Sequence, residues 1–224
     1  MKKRYILIEF LLVLAFLAVP PVFVSHGTGL SQAGTFNASV LYQLLISVIL
    51  FFQFLKLKSA EKSKTKLFRF LFHGTITLGI LMIIFALMQS IELLFSNEEM
   101  KSQNFMPDVD GPLSILFLTL AVVCGAFYEE VLYRQFLPEF MALIAGEKIN
   151  RKLVFYGTEF LALLLFAFAH RYQGWISVVN SFLCGTVLRL CYKKTSSVLP
   201  GAAAHAVYNL SLSVFYILIF CQTN

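Results

Sequence analysis

Seven stretches of this chain are apolar over a length that can cross a lipid bilayer, and a chain carrying so many has few folds open to it. A membrane-spanning helix needs about 20 mostly apolar residues. The stretches cover residues 5–24, 39–57, 67–95, 112–145, 153–170, 175–192 and 199–220. No water is present in the bilayer core to satisfy exposed backbone groups, so such segments fold as helices. The expected fold class is all-α, a polytopic transmembrane helical bundle of about seven spans. The fourth stretch is too long for one perpendicular span, and Pro138 within it marks a break or an end. Charged residues are 13% of the chain, about half the ~25% of soluble domains, and there are 24 phenylalanines. That balance excludes a soluble enzyme, a disordered chain and a nucleic-acid-binding module.

Basic residues set the expected orientation. With the N-terminus in the cytosol, Lys2, Lys3, Arg4, Lys56, Lys58, Lys62, Lys64, Lys66, Arg69, Lys148, Arg151, Lys152, Arg189, Lys193 and Lys194 all fall inside. These are fifteen of the eighteen Lys and Arg; Lys101 and Arg171 fall outside, and Arg134 lies within the fourth span. Such asymmetry follows the positive-inside rule and places the C-terminus outside. It also accounts for the net charge of +6: the partner is the anionic surface of a lipid bilayer, with no nucleic acid needed. The external loop at residues 96–110 is acidic, with Glu98, Glu99, Asp108 and Asp110. The basic, then apolar N-terminus is similar to a secretory signal, but its apolar part is longer than usual and no small-x-small site clearly follows. An uncleaved first span is therefore expected.

Ionisable groups inside a bilayer are costly, roughly 2.5–3.5 kcal/mol each on insertion scales, and tend to mark function. The fourth span carries three within six positions: Glu129, Glu130 and Arg134. Glu130 and Arg134 are four apart and share a helix face. Glu129 points about 100° away, toward a different space. Two adjacent carboxylates, one covered by arginine, separate in acidity, leaving the uncovered one available as a base. The bland alternative is a hydrated ion pair at a helix end. His26 and His73 read as surface or interfacial residues. His170 ends the run Phe166-Ala167-Phe168-Ala169-His170, and His205 follows Gly201-Ala202-Ala203-Ala204, small residues that let another helix approach. His205 and Asn209 are again four apart. Cys124, Cys184, Cys191 and Cys221 lie in or beside apolar runs with no C-x-x-C pair, and read as packing residues.

The ordered set E-E-x-x-x-R, F-x-x-x-H and H-x-x-x-N on successive hydrophobic helices resembles the CPBP family, the CAAX proteases and bacteriocin-processing (Abi) enzymes. Here it is Glu129, Glu130 and Arg134, then Phe166 and His170, then His205 and Asn209. The resemblance covers residues 113–220, with Gln135 standing where many members have glycine. It divides the chain into N-terminal spans at 1–111 and a CPBP-like catalytic core at 112–224. It implies an intramembrane endopeptidase in a bacterial cell membrane, acting on a peptide or membrane protein; some relatives cut prenylated C-terminal peptides.

The same residues suit peptide hydrolysis on their own chemistry. No Ser-His or Cys-His nucleophile pair is evident, so attack falls to water. Glu129 is the candidate base, with His170 sharing and orienting that water. Asn209, with His205 beside it, offers donors to the oxyanion. Glu130, Arg134 and Phe166 are supporting residues. A metal-dependent form of the same reaction is open, with zinc held by His170, His205 and Glu129 and water in the fourth position. The chain lacks H-E-x-x-H, and the metal-free form is favoured. A proton-coupled transporter or channel would bury similar residues but more often shows inverted repeats, of which none is seen; a catalytically silent scaffold is the other alternative. Depth tests the assembly. His205 lies ~12 Å into its span from the cytosolic end, whereas His170 would lie ~26 Å deep in a span beginning at Leu153. With residues 148–158 at the interface, His170 comes to ~17 Å, and both fall in the cytosolic half of the membrane.

Overall fold

The computed structural model describes residues 3–23, 38–57, 67–94, 111–145 and 151–221, and every regular element among them is helical. Eight α-helices follow one another: α1 (Lys3–Val13), α2 (Ala38–Leu57), α3 (Leu67–Leu94), α4 (Pro112–Glu129), α5 (Leu137–Ala145), α6 (Arg151–Ala169), α7 (Trp175–Thr195) and α8 (Leu199–Cys221). Two π segments, Leu14–Ala18 and Glu130–Phe136, extend α1 and join α4 to α5, and short 3₁₀ turns occupy Pro20–Phe23 and Arg171–Gln173. The acidic loop at 96–110, the basic residues at 58–66, Lys148 and His26 lie outside the described residues.

Four helical stretches are long and apolar enough to cross a membrane: Tyr5–Phe23, Leu67–Leu94, Pro112–Met141 and Trp175–Thr195. Shorter apolar helices run over Val40–Gln53 and Tyr156–Ala169. Side chains such as Phe68, Ile83, Leu93, Leu113 and Trp175 stand exposed on the outside of the bundle, where only a lipid solvent would accept them. This is an integral membrane protein built as a helical bundle.

Local chemistry explains the helix ends. Pro112 opens α4 at a position whose amide has no helical partner. Gly174 links the 3₁₀ turn to α7 at φ 100°, a conformation that a side chain would resist. At the other end of α7, Lys193 and Lys194 complement the helix dipole, and Ser196, in the left-handed region, donates its amide to the Tyr192 carbonyl at 2.7 Å.

Pro138 does not end the fourth span. The chain stays helical to Ala145, because the turn before the proline widens to π geometry and α5 carries on through it. This widened turn is the most enclosed part of the molecule: all seven residues from Glu130 to Phe136 are buried. Around it packs the main core, with Phe10 and Leu17 from the N-terminal helix, Phe140 from α5 and Phe166 from α6. A second buried cluster joins Leu81 of α3 to Cys184 and Leu188 of α7 and Tyr208 of α8. The N-terminal helices are thus wrapped against the C-terminal ones: α3 packs on α7 and α8, α2 on α4, and α1 on α5.

Candidate active site

The site assembles around the π segment. Glu130 is 1% exposed and sits within ion-pairing distance of Arg134, with Nε to Oε1 at 3.6 Å. His205, in the second turn of α8, places Nδ1 3.1 Å from the same Oε1. Its other ring nitrogen, Nε2, lies 3.7 Å from Oε2 of Glu129. His205 therefore stands between the two glutamates, one nitrogen toward each. The two carboxylates are unequal. Glu130 has both a histidine and an arginine, whereas Glu129 is 28% exposed and its Oε2 has no hydrogen-bond partner.

Close approach of α7 and α8 makes this arrangement possible. A Cβ at Gly201 would come within 3.2 Å of Glu130 Oε2, so the first turn of α8 reaches the carboxylate only because residue 201 has no side chain. Gly185 of α7 does the same for Arg134. A Cβ there would meet Leu163 at 2.8 Å, the Phe166 ring at 3.0 Å and Arg134 Nη2 at 3.3 Å. Arg134 is wholly buried, with its guanidinium carbon 3.9 Å from the centre of the Phe166 ring. A buried cation thus has an anion on one side and an aromatic face on the other.

Phe166 also connects the two histidines. Its ring centre lies 4.7 Å from that of His170 and 6.2 Å from that of His205, both edge to face. His170 follows the last residue of α6, and its Nδ1 lies 2.8 Å from the Phe166 carbonyl. With that carbonyl as acceptor, Nδ1 carries the proton and Nε2 is left for other partners. Asn209 is half-buried one turn beyond His205. The structure thus groups Glu129, Glu130, Arg134, Phe166 and His205 in direct contact, with His170 joined to them through Phe166 and Asn209 adjoining along α8. Among the described residues, no three His, Cys, Asp or Glu side chains converge as a ready metal site.

α6 runs from Arg151 to Ala169, and His170 follows directly on its last residue.

Several neighbours of the site went unread in the sequence. Arg189, grouped there with the cytosolic charges, lies inside α7 at 13% exposure. It donates two 2.6 Å hydrogen bonds to Glu159 of α6, whose carboxylate also pairs with Lys193 at 3.2 Å. The readable signal was a glutamate and an arginine in two successive apolar helices. Tyr172 of the 3₁₀ turn lies within electrostatic reach of Glu129 and accepts a hydrogen bond from Gln173; nothing in its sequence context marks it. Cys184 and Cys191 are buried free thiols, in keeping with a packing role.

Residues 111–211 match the family model of the Rce1-like type II CAAX prenyl endopeptidases, a match consistent with a CPBP/CAAX protease family. The matched segment holds every residue of the site just described. No curated protein and no solved structure matches the chain.

Proposed function

From the match of residues 111–211 to CAAX prenyl endopeptidases, we propose that the chain is an intramembrane endopeptidase that hydrolyses a peptide bond with a water activated by Glu129. The observation that carries this reading is the inequality of the two glutamates. Glu130 is held by His205 and Arg134, so its charge is spent on structure. Glu129 is 28% exposed, and its enclosed Oε2, 3.7 Å from His205 Nε2, makes no hydrogen bond, so this carboxylate is the less committed of the two.

In the proposed reaction Glu129 accepts a proton from water as the oxygen bonds to the scissile carbonyl carbon. His170, its Nδ1 proton committed to the Phe166 carbonyl, turns Nε2 to that water as acceptor. The carbonyl becomes a tetrahedral oxyanion, which the Asn209 amide serves as donor with His205 beside it; such a donor is worth ~10²–10³ in rate. Glu129 then returns the proton to the leaving nitrogen as the carbon–nitrogen bond breaks, giving a carboxylic acid and an amine, which exchange the acid proton to leave as carboxylate and ammonium. Arg134 and Phe166 act indirectly, by fixing Glu130 and through it His205.

The site belongs to the cytosolic half of the membrane on this reading. Glu129 ends α4, ~26 Å along from Pro112, and His205 stands near the start of α8. The first turn of α6 carries Arg151 and Lys152, and the last turn of α7 carries Lys193 and Lys194. The substrate class is a peptide or membrane-protein segment, with prenylated C-terminal peptides the first to try given the name of the matching family.

Purified protein in lipid nanodiscs, incubated with such peptides, tests the reading. Cleavage by the native chain that is lost in Glu129→Ala and survives a strong chelator supports it. Cleavage abolished by the chelator and restored by zinc replaces it with the metal-dependent form. No cleavage of any membrane peptide, together with proton-coupled uptake into sealed liposomes carrying the same protein, would favour a transporter.

A further inference from the structure

Pro138 has no amide hydrogen, and the π turn before it pairs each amide five residues back, Leu137 to the Leu132 carbonyl, so the turn is one amide short of its carbonyls where it enters α5. Buried carbonyls rarely go without a donor. Here the donor comes from another helix: Nη1 of Arg189 hydrogen-bonds the Arg134 carbonyl. The remaining guanidinium nitrogens, Nε and Nη2, are held by Glu159 at 2.6 Å each, and Tyr192 lies against the guanidinium face at 4.8 Å. One planar fork therefore joins α6, α7 and the π segment. The carbonyl it grips belongs to the residue whose side chain pairs with Glu130, and Glu129 is the last residue before the widened turn.

We infer that Arg189 is a positioning residue for this site: it hydrogen-bonds a carbonyl of the π turn from a neighbouring helix, and so fixes the π segment in the register that aims Glu129 and Glu130 at opposite nitrogens of His205. The link to turnover rests on the endopeptidase reading; the link to the π segment does not. A fork is required, because the group must serve a carboxylate and a carbonyl at once, and a lysine cannot do both in this geometry. A cavity lined by Arg134, Pro138, Glu159, Gly185, Arg189 and Lys193 adjoins the fork, which gives a lysine room to keep its ion pair with Glu159.

Two readouts test the inference on full-length protein in nanodiscs: peptide cleavage, and backbone hydrogen exchange by mass spectrometry. Arg189→Lys should fold, lower kcat about 10- to 100-fold, the scale of a misplaced catalytic group, leave KM within about twofold, and speed exchange over residues 130–137 more than over α6. Glu159→Gln weakens the ion pair and leaves the contact with the Arg134 carbonyl, so exchange over 130–137 should stay near native in that variant. Native kcat and native exchange in Arg189→Lys would overturn the inference. So would exchange over 130–137 that rises as much in Glu159→Gln as in Arg189→Lys, since Arg189 would then act only through its ion pair with Glu159. If the native chain cleaves nothing, the endopeptidase reading falls, and exchange over 130–137 still decides whether Arg189 holds the turn.

Discussion

Glu129 and Glu130 are neighbours of identical chemistry whose surroundings assign them different work. Exchanging each for glutamine keeps size and removes the charge. Glu129→Gln should lower turnover by ~10²–10⁴-fold, the usual loss of a general base. Its melting temperature should hold or rise, because a half-buried amide is easier to accommodate than a carboxylate lacking a partner. Glu130→Gln should act mainly on stability, since His205 and Arg134 both depend on its charge. Kinetics and thermal melts of the two variants side by side check this; a Glu130 variant that melts normally yet has lost turnover reverses the roles. Arg134→Ala is the companion case. It strips a fully buried anion of its cation and removes the group stacked on Phe166, a change costing about 3–5 kcal/mol. Folded yield in detergent should fall with activity, and a well-folded, fully active variant would make Arg134 dispensable. These acidic and basic positions are legible in the sequence because charges in apolar helices are rare. The place of His205 between both glutamates is not, since contacts across 75 positions depend on helix tilt.

At the scale of elements, the site is set by where helices come close. Gly185 and Gly201 are the two points at which α7 and α8 approach the π segment, and neither follows a spacing that separates it from an ordinary glycine in a membrane helix. Gly79 in α3 has nothing within 4 Å of where its Cβ would be, yet it looks the same in sequence. The pair gives a matched test. Gly185→Ala should destabilise by about 1–3 kcal/mol, the cost of overpacking, and reduce turnover by pushing Phe166 from its seat between the histidines. Gly79→Ala should be neutral, or stabilising by about 0.5–1 kcal/mol through helix propensity alone. Thermal melts of both in one lipid preparation decide it; equal effects would mean that the approach at residue 185 is loose. The π segment was out of reach of sequence reasoning for a related reason. Proline announces a missing hydrogen bond, and the usual inference is a kink or an end. Whether the helix instead widens depends on what packs around it, and the Arg134 carbonyl of the widened turn meets Arg189, 51 positions beyond Pro138.

For the whole molecule, span order was the most readable property, because twenty-residue apolar runs record the thickness of the solvent they evolved in. The helices at 38–57, 67–94, 175–195 and 199–221 start or stop within three residues of the runs read from hydropathy, while α6 begins two residues earlier than its run and carries a polar first turn. Orientation is a different kind of information. Helix packing looks the same from either side of the bilayer, and only the basic residues at the helix ends break the symmetry. The proposal that those ends face the cytosol therefore stands on the charges alone, most heavily on Lys56 in the last turn of α2, Lys58, Lys62, Lys64 and Lys66 in the sequence after it, and Arg69 in the first turn of α3. Loops this basic resist translocation, at a cost that grows with each charge. A single cysteine at position 63, introduced as Ser63→Cys in a chain whose four native cysteines are replaced, should react with an impermeant maleimide only after the membrane is opened. A cysteine replacing Ser102, in the acidic loop, should react in intact cells. The reverse pattern would invert every span, move the site to the external half of the bilayer, and restrict its substrates to segments presented from outside the cell.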